Sequence, residues 1–135
     1  MSGSVGHAEA MSDDDKRELI RRYLDASGVD QDISHETYHD DAVLEFPQSG
    51  ERFEGVAHFR EWRRQYPAEV TFTTRDLRGA GALWVAELAV DYDGGSPLLG
   101  VSILEFRGDK VARETIYTAE PWEAPDWRKP WRSAP

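Results

Sequence analysis

The spacing of apolar residues predicts a helix at the start of the chain. Ser12, with Asp15 three residues later, forms a capping pattern, and Asp13 and Asp14 favour the positive end of a helix dipole. Gly28 is a natural stop. The apolar positions between them recur every three or four residues: Leu19, Ile20, Tyr23 and Leu24.

Two further helices and a first strand are predicted between this helix and residue 67. A short, weakly patterned helix is expected around residues 33–38, and a strand over 42–47 that Pro47 ends. A turn and a short return strand at Arg52 and Phe53 follow. Gly55 then precedes a third helix, which Pro67 closes. Its apolar stripe contains Val56, Phe59, Trp62 or Arg63, and Tyr66.

After Pro67 the period changes from 3.6 to 2, which predicts strands. They are expected over residues 70–75, 82–92, 98–107 and 111–118, with tight turns at 93–95 and 108–109. Such an order of elements indicates the α+β class: a curved antiparallel sheet covered by three N-terminal helices. The helices would lie across the concave face and leave a cone whose inside can hold a ligand.

The composition excludes or disfavours several classes of function. The 135 residues carry a formal charge of -10, which disfavours nucleic acid and anionic membranes as partners. No cysteine is present, so disulfides and thiolate chemistry are excluded. No window resembles a membrane span or a signal peptide, and a cytoplasmic location is expected. We predict a flexible extension over residues 1–11, one domain over 12–119, and a Pro/Trp-rich tail over 120–135 packed on that domain.

Four stretches together are similar to the nuclear transport factor 2-like superfamily, in its SnoaL-like and ketosteroid-isomerase-like branch. They are RRYLDA around Tyr23, YHDDAVLEFP, GVAHFREW and ILEFRGDKVARETIY, and they span Arg17 to about Tyr117. The resemblance implies the helix-covered curved, cone-shaped sheet, related to the cystatin-like fold, and a homodimer. It leaves the chemistry open, since the superfamily contains cyclases, isomerases, dehydratases and pure binding modules.

The resemblance also suggests where chemistry would lie. Ketosteroid isomerases of this fold use a tyrosine on the first helix, which Tyr23 matches, an aspartate base and a protonated aspartic acid. Phe46 and Ser102 stand at the latter two positions, so that mechanism is not expected. SnoaL-like polyketide cyclases tend to place a His and an Asp on the final strand, where this chain has Glu114 and Ile116.

Glu114 is the sharpest candidate for a general base. Alternation along the last strand puts it on one face with Ala112, Ile116 and Thr118. If that face is the inner one, shielding from water makes the carboxylate more basic. If Arg113, Thr115 and Tyr117 face inward instead, Glu114 is a solvated surface residue. The same ambiguity applies to Glu87 and Asp91, which lie opposite Trp84 on the longest strand.

The predicted function is cofactor-free acid–base chemistry, namely cyclisation, isomerisation or dehydration, on an apolar carbonyl or polyketide-type metabolite. Glu114 would shuttle the proton and Tyr23 would steady an oxyanion. The pocket would be lined by Phe46, Phe59, Trp62, Ser102, Ile116, Thr118 and Trp122. No cofactor or metal is expected, because His35 and His39 have no third ligand nearby in the sequence.

Two alternatives stay open. The pocket could bind an apolar molecule without chemistry, or the tail could dock a protein partner. Trp122, Trp127 and Trp131 are costly to leave in water. We therefore expect them to fill apolar recesses of the domain, to form a dimer interface, or to act as a lid over the cone mouth.

Overall fold

A computed structural model of the chain describes residues 11–26, 34–66 and 70–134. The predictions for residues 1–10, for Gly28, for the start of the second helix at Ile33 and for Pro67 lie outside these ranges. Within them the elements are α1 (Asp13–Ala26), α2 (Ser34–Thr37), β1 (Tyr38–Phe46), β2 (Glu51–Glu54), α3 (Val56–Arg64), β3 (Val70–Ala80), β4 (Leu83–Tyr92), β5 (Leu98–Arg107), β6 (Lys110–Ala119) and a 3-10 helix, η1 (Asp126–Trp131).

The first helix begins where the capping pattern predicts. The Asp15 backbone N–H donates to Ser12 Oγ at 3.1 Å, and the Ser12 N–H donates to an Asp15 carboxylate oxygen at 3.4 Å. This reciprocal pair satisfies two of the donors that every helix start leaves free. The buried side of α1 is the predicted stripe of Leu19, Ile20, Tyr23 and Leu24.

The strands form one six-stranded sheet in the order β2-β1-β6-β5-β4-β3. All neighbours are antiparallel except β1 and β6, which run parallel. This pair differs from the expectation of a wholly antiparallel sheet. Alternation encodes which residues share a face, but it carries no information on which distant strand becomes the neighbour or in which direction it runs. The predicted α+β class and curved sheet are confirmed.

The helices pack on one side of this sheet, α1 against β3 and α3 against β1. On β4 the side chains of Trp84, Ala86, Leu88 and Val90 are buried. Glu87 therefore points outward, where it pairs with Arg78. The ambiguity on this strand is settled: the tryptophan side is the inner side.

Trp84 closes one end of the core. It is fully buried, and a Cβ built at Gly79, its partner on β3, would lie 2.6 Å from the indole ring. Only glycine therefore fits opposite this tryptophan. The indole Nε1–H donates to the Gly81 carbonyl at 3.1 Å, and the Arg17 guanidinium lies 5.0 Å from the ring.

The tail does not take the predicted position on its own domain. Trp122, Trp127 and Trp131 are 80%, 71% and 78% exposed. Pro121, Pro125 and Pro130 have no backbone N–H, so the tail cannot be held on the domain by regular strand pairing. The dimer-interface alternative stays a prediction. Among the described helices, none combines the length and apolar character needed to cross a membrane.

Candidate active site

A half-open cavity of about 880 Å³ lies between the inner face of the sheet and the helices α1 and α3. Its closed end is formed by buried residues, among them Tyr23, Leu88 and Glu114. Its open end is formed by exposed ones, including Ser49 and Tyr66. The remaining walls are mostly aromatic and aliphatic: Leu24, Phe46, Phe53, Trp62, Val70, Phe72, Val90, Tyr92 and Ile116.

The Glu114 carboxylate lies at the closed end of this cavity and is 1% exposed. Three hydroxyl groups donate to it. The Tyr23 hydroxyl lies 3.0 Å from Oε1 and 3.2 Å from Oε2, the Ser102 hydroxyl lies 2.5 Å from Oε2, and the Tyr38 hydroxyl donates to Oε1. Donors from α1, β1 and β5 thus converge on one side chain of β6, which fixes its position.

A positive charge accompanies the carboxylate. Arg63 Nη2 on α3 lies 3.8 Å from Glu114 Oε1 and donates to the Tyr23 hydroxyl at 3.2 Å. The guanidinium also lies 5.4 Å from the Phe59 ring and 5.8 Å from the Tyr23 ring. The buried cluster therefore holds one negative and one positive charge. Such pairing is the condition under which ionised groups persist away from water.

The protonation states of the other residues in this buried cluster follow from burial and from the neighbouring charges. Burial raises the pKa of Tyr23 to about 12, with the Arg63 charge opposing and the Glu114 charge adding to the shift. Burial likewise raises the pKa of Tyr38 well above its ordinary value, and Glu114 adds to this. Burial alone lowers the pKa of Arg63, but Tyr23, Tyr38 and Glu114 more than offset it, so its pKa is raised. At neutral pH both phenols are therefore protonated donors and Arg63 is a cation.

An ionised carboxylate has about four acceptor sites on its two oxygens. Tyr23, Tyr38 and Ser102 supply three protons, of which the Tyr23 proton is shared between both oxygens. Among the described residues this leaves room for about one further donor. Because Glu114 and Tyr23 line the cavity whereas Tyr38 and Ser102 do not, that further donor can come from a ligand.

An aromatic cluster forms one wall of the cavity. Phe46, Phe53 and Trp62 have ring centroids 5.4–6.2 Å apart. The indole Nε1 of Trp62 is buried and has no hydrogen-bond acceptor among the described residues. Buried donors without partners are rare in proteins, and each calls for an explanation such as a bound molecule.

The predicted site residues fall into three groups. Tyr23, Glu114, Phe46, Trp62, Ile116 and Thr118 all line the cavity. Phe59 and Ser102 are fully buried and do not line it, because Phe59 packs edge-on against Tyr38 and Ser102 lies behind the carboxylate that it contacts. Trp122, at 80% exposure, lies outside the lining altogether.

Two residues that matter for the site had no predicted role there. Tyr38 appeared as the end of a short helix, whereas it is the first residue of β1. Arg63 appeared only as one option on the stripe of α3. The signal for Arg63 was its spacing, since it follows the buried Phe59 by four residues and so shares its helix face. A register shift between Tyr38 and Val43 obscures the alternation that would have identified Tyr38.

Metal ligation has no candidate in the described part of the chain. No group of three or more His, Asp or Glu side chains in residues 11–26, 34–66 and 70–134 could hold a metal ion. The site residues themselves are hydroxyls, one carboxylate and one guanidinium. Groups of these types can donate or accept hydrogen bonds.

The raised pKa of Tyr23 predicts a dependence of stability on alkaline pH. The folded protein keeps this proton up to about pH 12, whereas an unfolded tyrosine releases it near pH 10. The stabilisation is therefore fully present below about pH 10 and is lost as the pH rises through about 12. In Tyr23→Phe, urea unfolding between pH 10 and 12 should release about one proton fewer than in the wild type.

The matched control for this measurement is Tyr117→Phe, which removes an exposed tyrosine on the outer face of β6. Its unfolding free energy should follow the wild-type pH dependence. An identical pH dependence in Tyr23→Phe and the wild type would contradict the described burial of Tyr23.

Comparisons with known proteins identify the family and the fold. The profile of the SnoaL-like domain matches residues 20–114. An NTF2-like protein of unknown function from Burkholderia xenovorans is 39% identical, with a TM-score of 0.85 over 92% of this chain and 98% of that one. A candidate ketosteroid isomerase from Kribbella flavida is 28% identical, with a TM-score of 0.80 over 93% of each chain.

More distant structures share the fold. A candidate polyketide cyclase from Sinorhizobium meliloti is 25% identical, with a TM-score of 0.64 over 74% of this chain and 94% of that one. No curated protein matches the chain significantly.

Proposed function

We propose that this chain, which belongs to the SnoaL-like family, performs cofactor-free acid–base chemistry on an apolar carbonyl compound. The reaction would be an isomerisation, cyclisation or dehydration, each of which begins with removal of a proton next to a carbonyl group. The observation that carries this proposal is the Glu114 carboxylate, 1% exposed, at the closed end of an apolar cavity.

In this mechanism Glu114 accepts the substrate proton and returns it at another atom. Tyr23 lines the cavity, is protonated at neutral pH and lies within hydrogen-bond distance of the same carboxylate. As the negative charge moves from the carboxylate to the substrate oxygen, the Tyr23 hydroxyl can redirect its hydrogen bond to that oxygen. Arg63 lines the cavity too and offsets the negative charge wherever it resides.

The cavity supports a particular class of substrate. A volume of about 880 Å³ suits a molecule of several fused or linked rings, and the walls are mostly apolar. The buried indole Nε1–H of Trp62 has no acceptor among the described residues, so a substrate with a second oxygen would satisfy it. We therefore expect a polycyclic or polyketide-type ketone rather than a sugar, a nucleotide or a small acid.

The relatives named as a candidate ketosteroid isomerase and a candidate polyketide cyclase favour the same kind of reaction. This chain has Phe46 and Ser102 where the resemblance places an isomerase's aspartates. Ser102 instead donates to Glu114. The proposed base is thus on the last strand, so the arrangement differs from the isomerase one while the proton transfer is of the same type.

The experiment is exchange of carbon-bound protons in D2O. Wild-type protein is incubated with a panel of apolar polycyclic ketones, and deuterium uptake next to the carbonyl is followed by NMR. At least one ketone should exchange faster than in buffer alone. Addition of 2-naphthol, a planar phenol that can occupy the cavity, should slow this exchange by competing with the ketone. Binding of ketones without exchange of any of them would contradict the proposed chemistry.

That contrary result would favour the second candidate, a binding module for an apolar molecule. The specific observation in its favour is the number of internal partners of Glu114. Three hydroxyls and Arg63 hold the carboxylate in one position, and such a buried polar network can serve structure alone. A homodimer and a cytoplasmic location are proposed alongside either function. Docking of a different protein by the tail is the third possibility.

A further inference from the structure

We propose that the Trp-rich tail of one chain closes the open end of the cavity in a second copy of the chain. The tail here means residues 120–134, and the rim means the exposed residues at the open end of the cavity: Gln48, Ser49, Glu51 and Tyr66. The function of such a closure in excluding water rests on the proposed function. The contact itself does not.

The tail presents an unusual amount of apolar surface to solvent. Its three tryptophans are 71–80% exposed, although each is the type of side chain that proteins bury first at interfaces. Each exposed ring offers about 150 Å² or more. Two tails, each covering a similar area of the other copy, would bury about 1,800 Å² in total, which is the size of a stable specific interface.

The tail begins beside the rim, and because its own domain leaves the three tryptophans exposed, we take a second copy as the receiver. The tail leaves β6 at Ala119, next to Thr118, which lines the cavity and is hydrogen-bonded to Gln48 on the rim. Residues 120–125 then run without regular structure, with prolines at 121 and 125. An extended run of six residues spans about 19 Å, which is long enough for η1 to reach a neighbouring molecule.

The charges of the tail fit an acidic receiver. Its three acidic residues precede Trp127 and its three basic residues follow it, so the η1 end is positive: Arg128, Lys129 and Arg132. Since the charges of the tail sum to zero, the rest of the chain carries the whole net charge of -10. On the rim, Glu51 is an exposed carboxylate. A second copy therefore attracts the basic end of the tail towards the acidic domain.

The opening of the cavity exposes apolar surface that a second copy could cover. Tyr66 is 41% exposed and lies against Tyr92, with ring centroids 5.9 Å apart. Together with the half-buried Val70 and Phe72 they form an apolar edge around the opening. Indole rings placed on this edge would convert a half-open cavity into an enclosed one. Each site would then be completed by a residue from the other chain.

The absence of cysteine makes a clean cross-linking test possible. Two differently tagged chains are prepared, one with Ser49→Cys on the rim and one with Ser133→Cys at the end of the tail, so that all tryptophans remain. The chains are mixed, allowed to exchange partners and treated with a short bis-maleimide. The expected product is a cross-link between the two different chains. A chain carrying both cysteines should cross-link mainly to another chain, not within itself.

The control places a cysteine at Leu99, which is 42% exposed on the outer face of the sheet. Tail cysteines that react with Leu99→Cys instead of Ser49→Cys would overturn the proposal in favour of docking on the outer face. Cross-links confined to single chains would overturn it in favour of a lid from the same chain. A monomer at all concentrations in sedimentation velocity would overturn it as well, and would favour a different protein partner.

A second measurement tests the rings directly. In Trp127→Ala/Trp131→Ala, the dissociation constant of the dimer should rise about tenfold or more, because buried tryptophans dominate interface energies. Acrylamide should quench the tail tryptophans weakly at high protein concentration and strongly after dilution. Unchanged association and full quenching of the wild type at high concentration would contradict the proposal. Neither readout needs enzymatic activity, so failure here is distinct from failure of the proposed function.

Discussion

Glu114→Gln should slow deuterium exchange into a responsive ketone by about 10²- to 10⁴-fold, the usual contribution of a positioned general base. Glutamine has nearly the same shape but cannot accept the substrate proton. The Tyr38 and Ser102 hydroxyls, which donate to the carboxylate in the wild type, can rotate to accept from the new amide. The fold should therefore persist, at a cost of about 1–3 kcal/mol for the altered buried hydrogen bonds.

Ligand binding separates this result from simple damage. The affinity for 2-naphthol should change by less than about tenfold, because the aromatic wall of Phe46, Phe53 and Trp62 supplies most of the buried contact area. Glu87→Gln is the matched control, since that carboxylate faces outward and pairs with Arg78. It should exchange the ketone at the wild-type rate. Equal rates in Glu114→Gln and the wild type would mean that Glu114 is not the base.

Trp84→Ala should destabilise the domain by about 3–5 kcal/mol, the range for removing a large aromatic side chain from a core. Trp84 is fully buried, and the opposing Gly79 has no side chain that could fill the space left behind. The hydrogen bond to the Gly81 carbonyl and the stacking of Arg17 would be lost as well. Against a typical total of about 5–15 kcal/mol, this is a large fraction of the stability.

Urea unfolding followed by circular dichroism measures this change. Leu83→Ala is the control, because Leu83 precedes Trp84 on β4 but is 53% exposed, and its loss should change the free energy of unfolding by only about 0.5 kcal/mol. Trp84 does not line the cavity. The folded fraction of Trp84→Ala should therefore still bind 2-naphthol. A loss below about 1 kcal/mol would show that this end of the core is less tightly packed than described.

The hairpins and most strand limits were accessible from the sequence because their signals are local. The predicted strand over residues 98–107 matches β5 at both ends, and the turn glycines Gly94 and Gly108 have the positive φ that such turns require. The first strand was predicted to begin four residues too late, since its start follows a helical turn directly at Tyr38. The third strand continues to Ala80 across a register shift that interrupts its alternation.

The site was only partly accessible for a similar reason. Alternation placed Glu114, Ile116 and Thr118 on one face of β6. The pattern was equally consistent with that face pointing into the cavity or into solvent. Only packing against α1 and α3 decided that Glu114 faces inward. Its partners Tyr38 and Arg63 lie 76 and 51 positions earlier in the chain. No local pattern links residues so far apart.

The sequence by itself determined the order of helices and strands, the two tight turns, the helix cap at Ser12 and the set of side chains that share each face. These properties depend on neighbours within a few residues, where backbone geometry fixes the outcome. The tertiary structure alone decided that β1 runs parallel to β6, that four distant residues surround one carboxylate, and that the tail tryptophans remain exposed in a single chain. These depend on which surfaces meet, and burial of apolar area between remote segments is a property of the whole fold.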